Sequence, residues 1–193
     1  MRFAELDKRP VIVAVAGPNG AGKTTFHESH LRRVGLRLIS PDVLVRELDL
    51  SAYAATNLAD ALRRGFVKRR ESFVFETVFS DPVGAKLTFL KEAAQAGYTV
   101  VVCFIGIADP EMSEQRVAMR VSQGGHDVPR KKLRSRFPRT LSNLVRATRE
   151  LNLVVVFDNS DLDTPFRQVA VFKSGKLASS HPPIPAWLKP ALE

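Results

Sequence analysis

Cysteine and tryptophan are almost missing from this chain, one of each in 193 residues. A single cysteine excludes an internal disulfide framework, and four scattered histidines suggest no metal cage. Cys103 sits inside Val100-Val101-Val102-Cys103-Phe104-Ile105 and reads as a small core residue rather than a reactive thiol. The first apolar run, Val11 to Ala16, is too short for a secretory signal or a membrane span. A soluble, cytoplasmic protein with no membrane partner is expected. At 45% hydrophobic, the chain can bury one good core, and residues 1–193 are expected to form a single domain.

Acidic residues are missing from one stretch in particular. Between Arg116 and Arg149, Asp127 is the only acid, against ten basic residues: Arg116, Arg120, Arg130, Lys131, Lys132, Arg134, Arg136, Arg139, Arg146 and Arg149. The rest of the chain balances 19 basic against 19 acidic residues, so the formal net charge of +9 resides in this block. Such a block attracts the phosphates of a nucleotide, a sugar nucleotide or RNA, although several of its members must simply cover a solvated helix face. Aromatics are scarce there too. Phe137 stands alone, which argues against the stacking platforms of a single-strand RNA binder.

What is present begins at Gly17-Pro18-Asn19-Gly20-Ala21-Gly22-Lys23-Thr24-Thr25, directly after Val11 to Ala16. The segment fits the P-loop pattern G-x-x-x-x-G-K-[ST], with a buried strand before it and a helix after it. The glycines let successive N–H groups converge on phosphate oxygens, and the helix N-terminus adds its positive end. Lys23 can reach the β- and γ-phosphates, and the Thr24 hydroxyl can ligate Mg²⁺. A chance glycine-rich turn would not keep strand, loop, Lys-Thr and helix in register. A nucleoside triphosphate with Mg²⁺ is therefore the expected ligand pair.

Apolar β-rich runs alternate with helical patterns along the chain, which is the signature of βαβ units. Strands are expected over 11–16, 36–40, 73–75, 98–107 and 153–157, and helices over 24–34, 51–70, 82–95, the segment after Asp109-Pro110, and 130–150. The expected fold is an α/β P-loop NTPase of the kinase type, a three-layer sandwich with a five-stranded parallel sheet. Gln168 to Lys173 could add an edge strand, and the Pro-rich tail, residues 181–193, is expected along the surface. Gly124-Gly125-His126-Asp127-Val128-Pro129 breaks the helical pattern, giving a helix–hinge–helix lid over roughly residues 116–139 with arginines on both arms.

Ligands in open α/β sheets bind beyond the carboxyl ends of the strands. Those ends carry the P-loop, Ser40-Pro41-Asp42, Glu76-Thr77 and Asp158-Asn159. Asp42 can serve as general base for an acceptor hydroxyl or as N-cap of the helix that follows; the catalytic role is preferred. Glu76 can orient substrate or hold a Mg²⁺-bound water, or else cap the next turn. Arg116 and Arg120, four apart, share a helix face, and Arg134 and Arg136 lie across the glycine break.

Taken together, these motifs resemble the zeta-toxin-like family of P-loop kinases, in its compact branch. The resemblance covers most of the chain, and the Gly-Gly-His-Asp-Val-Pro segment with flanking arginines is its most specific part. It implies a kinase fold and transfer of the ATP γ-phosphoryl to a hydroxyl of a small phosphorylated or nucleotide-sugar acceptor. UDP-N-acetylglucosamine is the acceptor of the well-known toxin members, which a small, separately encoded antitoxin holds inactive. By resemblance, Lys23 and Thr24 serve ATP and Mg²⁺, and Asp42 matches the base. Glu76 and Thr77 match the substrate-contacting strand end. Arg120 pairs with Arg134 as the phosphate-binding arginines, with Arg136 as the other choice for the second position. Arg116 and Arg136 join the expected substrate contacts. A polynucleotide or RNA kinase and a nucleotide-gated binding protein are the alternatives. An ABC-type ATPase is excluded, because Leu153 to Phe157 ends in Asp158-Asn159 rather than Asp-Glu and a proper Leu-Ser-Gly-Gly signature is missing.

Overall fold

The computed structural model describes residues 4–125 and 127–193. His126, part of the glycine-rich break, lies outside the described residues. The strands are β1 (Val11–Ala16), β2 (Arg37–Ile39), β3 (Phe73–Thr77), β4 (Thr99–Gly106), β5 (Leu153–Asp158), β6 (Arg167–Lys173) and β7 (Lys176–Ser180). The helices are α1 (Lys23–Phe26), α2 (Pro41–Leu48), α3 (Ala52–Lys68), α4 (Ala85–Gln95), α5 (Pro110–Ser122) and α6 (Arg130–Glu150). Past Phe26 the chain keeps turning, through a π segment over His27–Leu31 and a 3-10 turn over Arg32–Val34.

One seven-stranded sheet runs in the order β2-β3-β1-β4-β5-β6-β7. β2, β3, β1, β4 and β5 pair in parallel, while β6 and β7 add an antiparallel hairpin. The expected five-stranded parallel sheet is thus corrected to a mixed sheet of seven. Only the first half of the hairpin is apolar: Val169, Ala170 and Phe172 are buried, whereas β7 is largely exposed. A polar edge strand gives little hydrophobic signal in sequence, and it also discourages edge-to-edge pairing.

Alternation along β1 divides the core. Ile12, Ala14 and Ala16 pack with Ala59 and Phe66 of α3, Leu87 and Leu90 of α4, and Leu144 and Ala147 of α6. Val11, Val13 and Val15 pack on the opposite face with Phe26, Leu31 and Phe137. A parallel sheet covered on both faces explains why its strands read as continuous apolar runs. Helix ends follow local chemistry. The Ser51 hydroxyl accepts from the Ala54 N–H, and the Asp109 carboxylate accepts from the Met112 N–H. Helix α4 starts at Ala85, three residues later than the expected Pro82, because the Asp81 carboxylate accepts the Ala85 N–H and Gly84 takes a left-handed conformation.

The tail departs from expectation as well. Trp187, Leu188 and Ala191 are buried in the core cluster rather than lying along the surface. The absence of a Cβ at Gly106 permits this: a methyl group there would sit 2.2 Å from the Trp187 ring. Gly106→Ala must therefore displace Trp187, and overpacking of this kind costs ~1–3 kcal/mol. Because Trp187 is the only tryptophan, its emission should shift to the red as the melting temperature falls. Unchanged emission and melting would contradict this packing.

Candidate active site

Three glycines shape the P-loop. Gly17, Gly20 and Gly22 have φ of 145°, 74° and 85°, a region that side chains with a Cβ rarely adopt. Gly17 also lies so close to β4 that a Cβ would stand 2.1 Å from the Ile105 carbonyl oxygen. The loop is braced from outside. The Asn159 side chain at the end of β5 donates to the Ala21 carbonyl at 2.9 Å, and the Ser113 hydroxyl of α5 donates to the Asn19 carbonyl at 2.8 Å. Asn159 thereby supports the loop from behind rather than facing a ligand. Its neighbour Asp158 holds Ser160 and Arg167.

Lys23 opens α1 and donates to the carbonyls of Gly17 and Pro18, at 3.0 and 2.9 Å. Burial holds its ammonium below the ordinary lysine value, against the opposing pull of Glu76 and Asp42. Parallel pairing puts Glu76 beside Val15 of β1, at the carboxyl edge of the sheet. There its Oε2 accepts from the Thr24 hydroxyl at 3.2 Å and from the Ser40 hydroxyl at 3.1 Å. Its Oε1 is buried and has no partner among the described residues. Burial pushes the Glu76 carboxyl above its ordinary value, while Lys23 and the two hydroxyls pull the other way. Among the described residues no cluster of three or more His, Cys, Asp or Glu forms a metal cage. Thr24 and the open Glu76 oxygen nonetheless suit a hydrated Mg²⁺, an ion that takes one or two protein oxygens and completes its shell with water and phosphate.

Ser40 occupies the N-cap position of α2, and Asp42 stands in the first turn, so Asp42 is not the cap. Its carboxylate is exposed and lies 3.7 Å from the Arg120 guanidinium of α5. Asp42, Lys23, Glu76, Thr77, Arg120 and Arg136 line one cleft of about 540 Å³, which Asp127, Val128 and Pro129 also border. The Thr77 hydroxyl accepts the Phe79 N–H and so fixes the turn after β3.

Arg134 and Arg116 are placed differently. Arg134 points to the other side of α6, where it holds Glu114 at 2.5 Å and Glu111 at 3.1 Å, with Arg130 on the same Glu114 carboxylate. The two guanidinium groups keep the Glu114 carboxyl below its ordinary value. Arg116 donates to the Ser160 carbonyl at 3.3 Å, with its Cβ against Gly20, beside the P-loop rather than in the main cleft. Two residues along a helix turn the side chain by about 200°, which is why Arg134 and Arg136 face apart. The Arg130/Arg134 pair, four apart and opposite Glu111 and Glu114, is the signal that separates the two in sequence.

A family model described as Zeta toxin matches residues 45–173. The chain belongs to that family. The matched segment begins after the P-loop and Asp42, whose assignment therefore stands on the geometry above. Among solved structures, the AvrRxo1-ORF1:-ORF2 complex with ATP is similar at a TM-score of 0.71 and 19% identity, covering 92% of this chain and 63% of that one. A structure of the PezAT chromosomal toxin–antitoxin system of Streptococcus pneumoniae gives 0.60 at 17% identity, covering 85% and 72%. The Pnkp1/Rnl/Hen1 RNA repair complex gives 0.51 at 14%, covering 88% and 50%. At these identities the likeness shows the fold alone, and the zeta-toxin-family chain spans 63% of the length of the AvrRxo1-ORF1:-ORF2 chain it matches. No curated protein matches it in sequence.

The buried carboxyl gives this zeta-toxin-family site a signature in stability. A carboxyl raised by folding binds its proton more tightly in the native than in the unfolded state, so stability falls as pH rises from 4.5 through the folded value. Glu76→Gln removes that penalty while its amide oxygen can still accept from Ser40 and Thr24. The ligand-free variant should melt above the wild type at neutral pH, with the gap closing below pH 4.5. A variant less stable than the wild type across the whole range would show that attraction to Lys23 outweighs burial.

Proposed function

We propose that this chain is an ATP- and Mg²⁺-dependent kinase that transfers the γ-phosphoryl group to a hydroxyl of a small phosphorylated or nucleotide-sugar acceptor, UDP-N-acetylglucosamine among the candidates. The observation that carries this reading is the Glu76 carboxylate, buried with one open oxygen between the P-loop lysine and the Thr24 hydroxyl. Residues 17–25 would wrap the triphosphate, with Lys23 leaving the Gly17 and Pro18 carbonyls for the β- and γ-oxygens. Mg²⁺, held by Thr24 and through water by Glu76, would neutralise charge on those oxygens. Asp42 would take the proton of the acceptor hydroxyl. As the new O–P bond forms, the bond from the γ-phosphorus to the bridging oxygen breaks and ADP leaves. Arg120 and Arg136 would bind the charge that shifts onto that oxygen, and the two helical arms that carry them, α5 and α6, would close over the cleft and exclude water. Arg134 would act from outside, tying α6 to α5, and Arg116 would steady the P-loop and the nucleotide beside it. A separately encoded antitoxin is the corresponding partner.

Labelled ATP tested against UDP-sugars, phosphorylated metabolites and RNA ends identifies the acceptor class; nucleotide hydrolysis with no transfer to any acceptor would overturn the kinase reading. Arg120→Ala and Arg136→Ala should each lower turnover by roughly 10³–10⁵ with little change in nucleotide affinity, the scale of an arginine acting in phosphoryl transfer. Asp42→Asn should cost about 10² or more, and Lys23→Ala ~10²–10³. Arg134→Ala should instead lower the melting temperature and spare the chemistry. A uniform, salt-sensitive loss of affinity across all the basic residues would mark a polyanion-binding surface.

A further inference from the structure

At the amino ends of β2 and β3, opposite the cleft, a second set of cations gathers that no step of the transfer scheme uses. Residues 29–41 hold three arginines and no acid, and residues 61–70 hold four arginines, one lysine and no acid. Arg63 turns inward, but Arg32, Arg33, Arg37, Lys68, Arg69 and Arg70 are all exposed. The fold joins the two segments. β2 begins at Arg37, paired in parallel with Phe73 of β3, and α3 ends at Lys68, just ahead of β3. The Phe66 ring is the meeting point: the Arg37 and Arg69 guanidinium groups lie 5.9 and 5.2 Å from its centroid. Arg32 and Arg33 form the 3-10 turn before β2.

Arg70 is the informative residue. α3 ends in a Schellman turn, in which the Glu71 N–H donates to the Phe66 carbonyl at 3.0 Å and the Arg70 N–H to the Val67 carbonyl at 3.1 Å. Arg70 stands at the left-handed position of that turn, with φ 55°. α4 closes through the same pair of bonds, from Tyr98 to Ala93 and from Gly97 to Ala94, and there the left-handed residue is Gly97. A long side chain at such a position is strained, and helix termination alone would be better served by glycine. The arginine keeps a charge on this face against that preference. Its guanidinium lies 6.0 Å over the Tyr98 ring and donates to the Ala96 carbonyl at 3.0 Å. Glu71, the next residue, pairs with Arg69 at 2.5 Å. Cations that offset a helix dipole account for a charge or two at the end of α3, not for six over two segments.

We infer that this face binds the phosphate backbone of a double-stranded nucleic acid without reading its sequence. Arginine predominates, the side chain whose planar fork suits phosphate. The nearby rings cannot stack on the bases of a single strand, because Phe66, Phe73 and Tyr98 are buried. None of the large exposed apolar side chains among the described residues belongs to residues 29–41 or 61–72. The face therefore lacks both the apolar centre of a protein interface and the side chains that enter a membrane. β1, six residues long, spans about 20 Å between this end of the sheet and the P-loop. A bound duplex thus leaves the nucleotide site open, and the inference stands apart from the kinase reading.

A short labelled duplex, made once as RNA and once as DNA, is titrated with the intact chain and followed by fluorescence anisotropy at a series of salt concentrations. Binding should occur with and without Mg²⁺ and a non-hydrolysable ATP analogue. The logarithm of the binding constant should fall against log salt with a slope of about −4 to −5, at roughly 0.9 per neutralised phosphate. Arg33→Gln combined with Lys68→Gln should flatten the slope by about 2 and weaken binding at low salt by about tenfold or more. Arg70→Gly should flatten it by about 1 at an unchanged or higher melting temperature, which a purely structural arginine would not give. Arg136→Gln, in the cleft, should leave duplex binding as it is. Tighter binding of either duplex supports the inference and identifies the nucleic acid. No binding at low salt, a slope untouched by the distal substitutions, or competition by the ATP analogue would overturn it. Equal affinity for single strands, polyglutamate or anionic vesicles would overturn it too, marking a face for acidic partners of another kind.

Discussion

Burying the Glu76 carboxylate at the carboxyl edge of the sheet is the constraint around which this site is organised. An ionised carboxylate withdrawn from water is tolerated only with partners. Its partners come from two other strand ends: Thr24 and Lys23 after β1, and Ser40 after β2. The order β2-β3-β1 brings these three ends side by side. Satisfying Glu76 therefore fixes the P-loop helix and the start of α2 at once, and with α2 it fixes where Asp42 enters the cleft. One carboxylate oxygen stays open, at the place where the charge of a nucleotide-bound cation would complete the set.

Two cationic systems stand on either side of that carboxylate. Nearer the P-loop, Arg120 reaches Asp42 across the gap between α5 and α2. Farther along, Arg63 and Lys86 share Asp60, opposite Arg139. The basic block that dominates the net charge is thus not one surface. Helical phase divides α6: Arg136 and Arg139 face the cleft, whereas Arg130 and Arg134 are spent on Glu114. Ion pairs of the second kind order the helix pair, and only the first kind stands where it could act on a ligand.

Much of this was legible from residue types. The P-loop, the alternation of strands and helices, and the carboxylates at the ends of β2 and β3 all follow from short-range pattern, because glycine geometry and strand burial are local properties. The β6–β7 hairpin was only half visible, since β7 is polar and exposed. The prolines of the tail advertise a surface segment, whereas burial of Trp187 depends on the missing Cβ of Gly106, far away in sequence. The i,i+4 spacing of Arg130 and Arg134 separates Arg134 from Arg136 only once α6 is known to pack against α5 with its Glu111 and Glu114, and that is a tertiary fact. The placement of Arg63 and Lys86 is tertiary for the same reason: nothing in the sequence of α3 says that its arginine turns inward over Phe75.

Proton linkage tests the central role of Glu76 most directly. Calorimetric titration of the Mg²⁺–ATP analogue is carried out just above the usual carboxylate range, in two buffers of different ionisation enthalpy, which counts the protons exchanged on binding. If a cation at the open Glu76 oxygen completes the site, the raised carboxyl must ionise as the nucleotide binds, so the wild type releases protons and Glu76→Gln does not. Equal proton exchange in the two proteins would contradict the account.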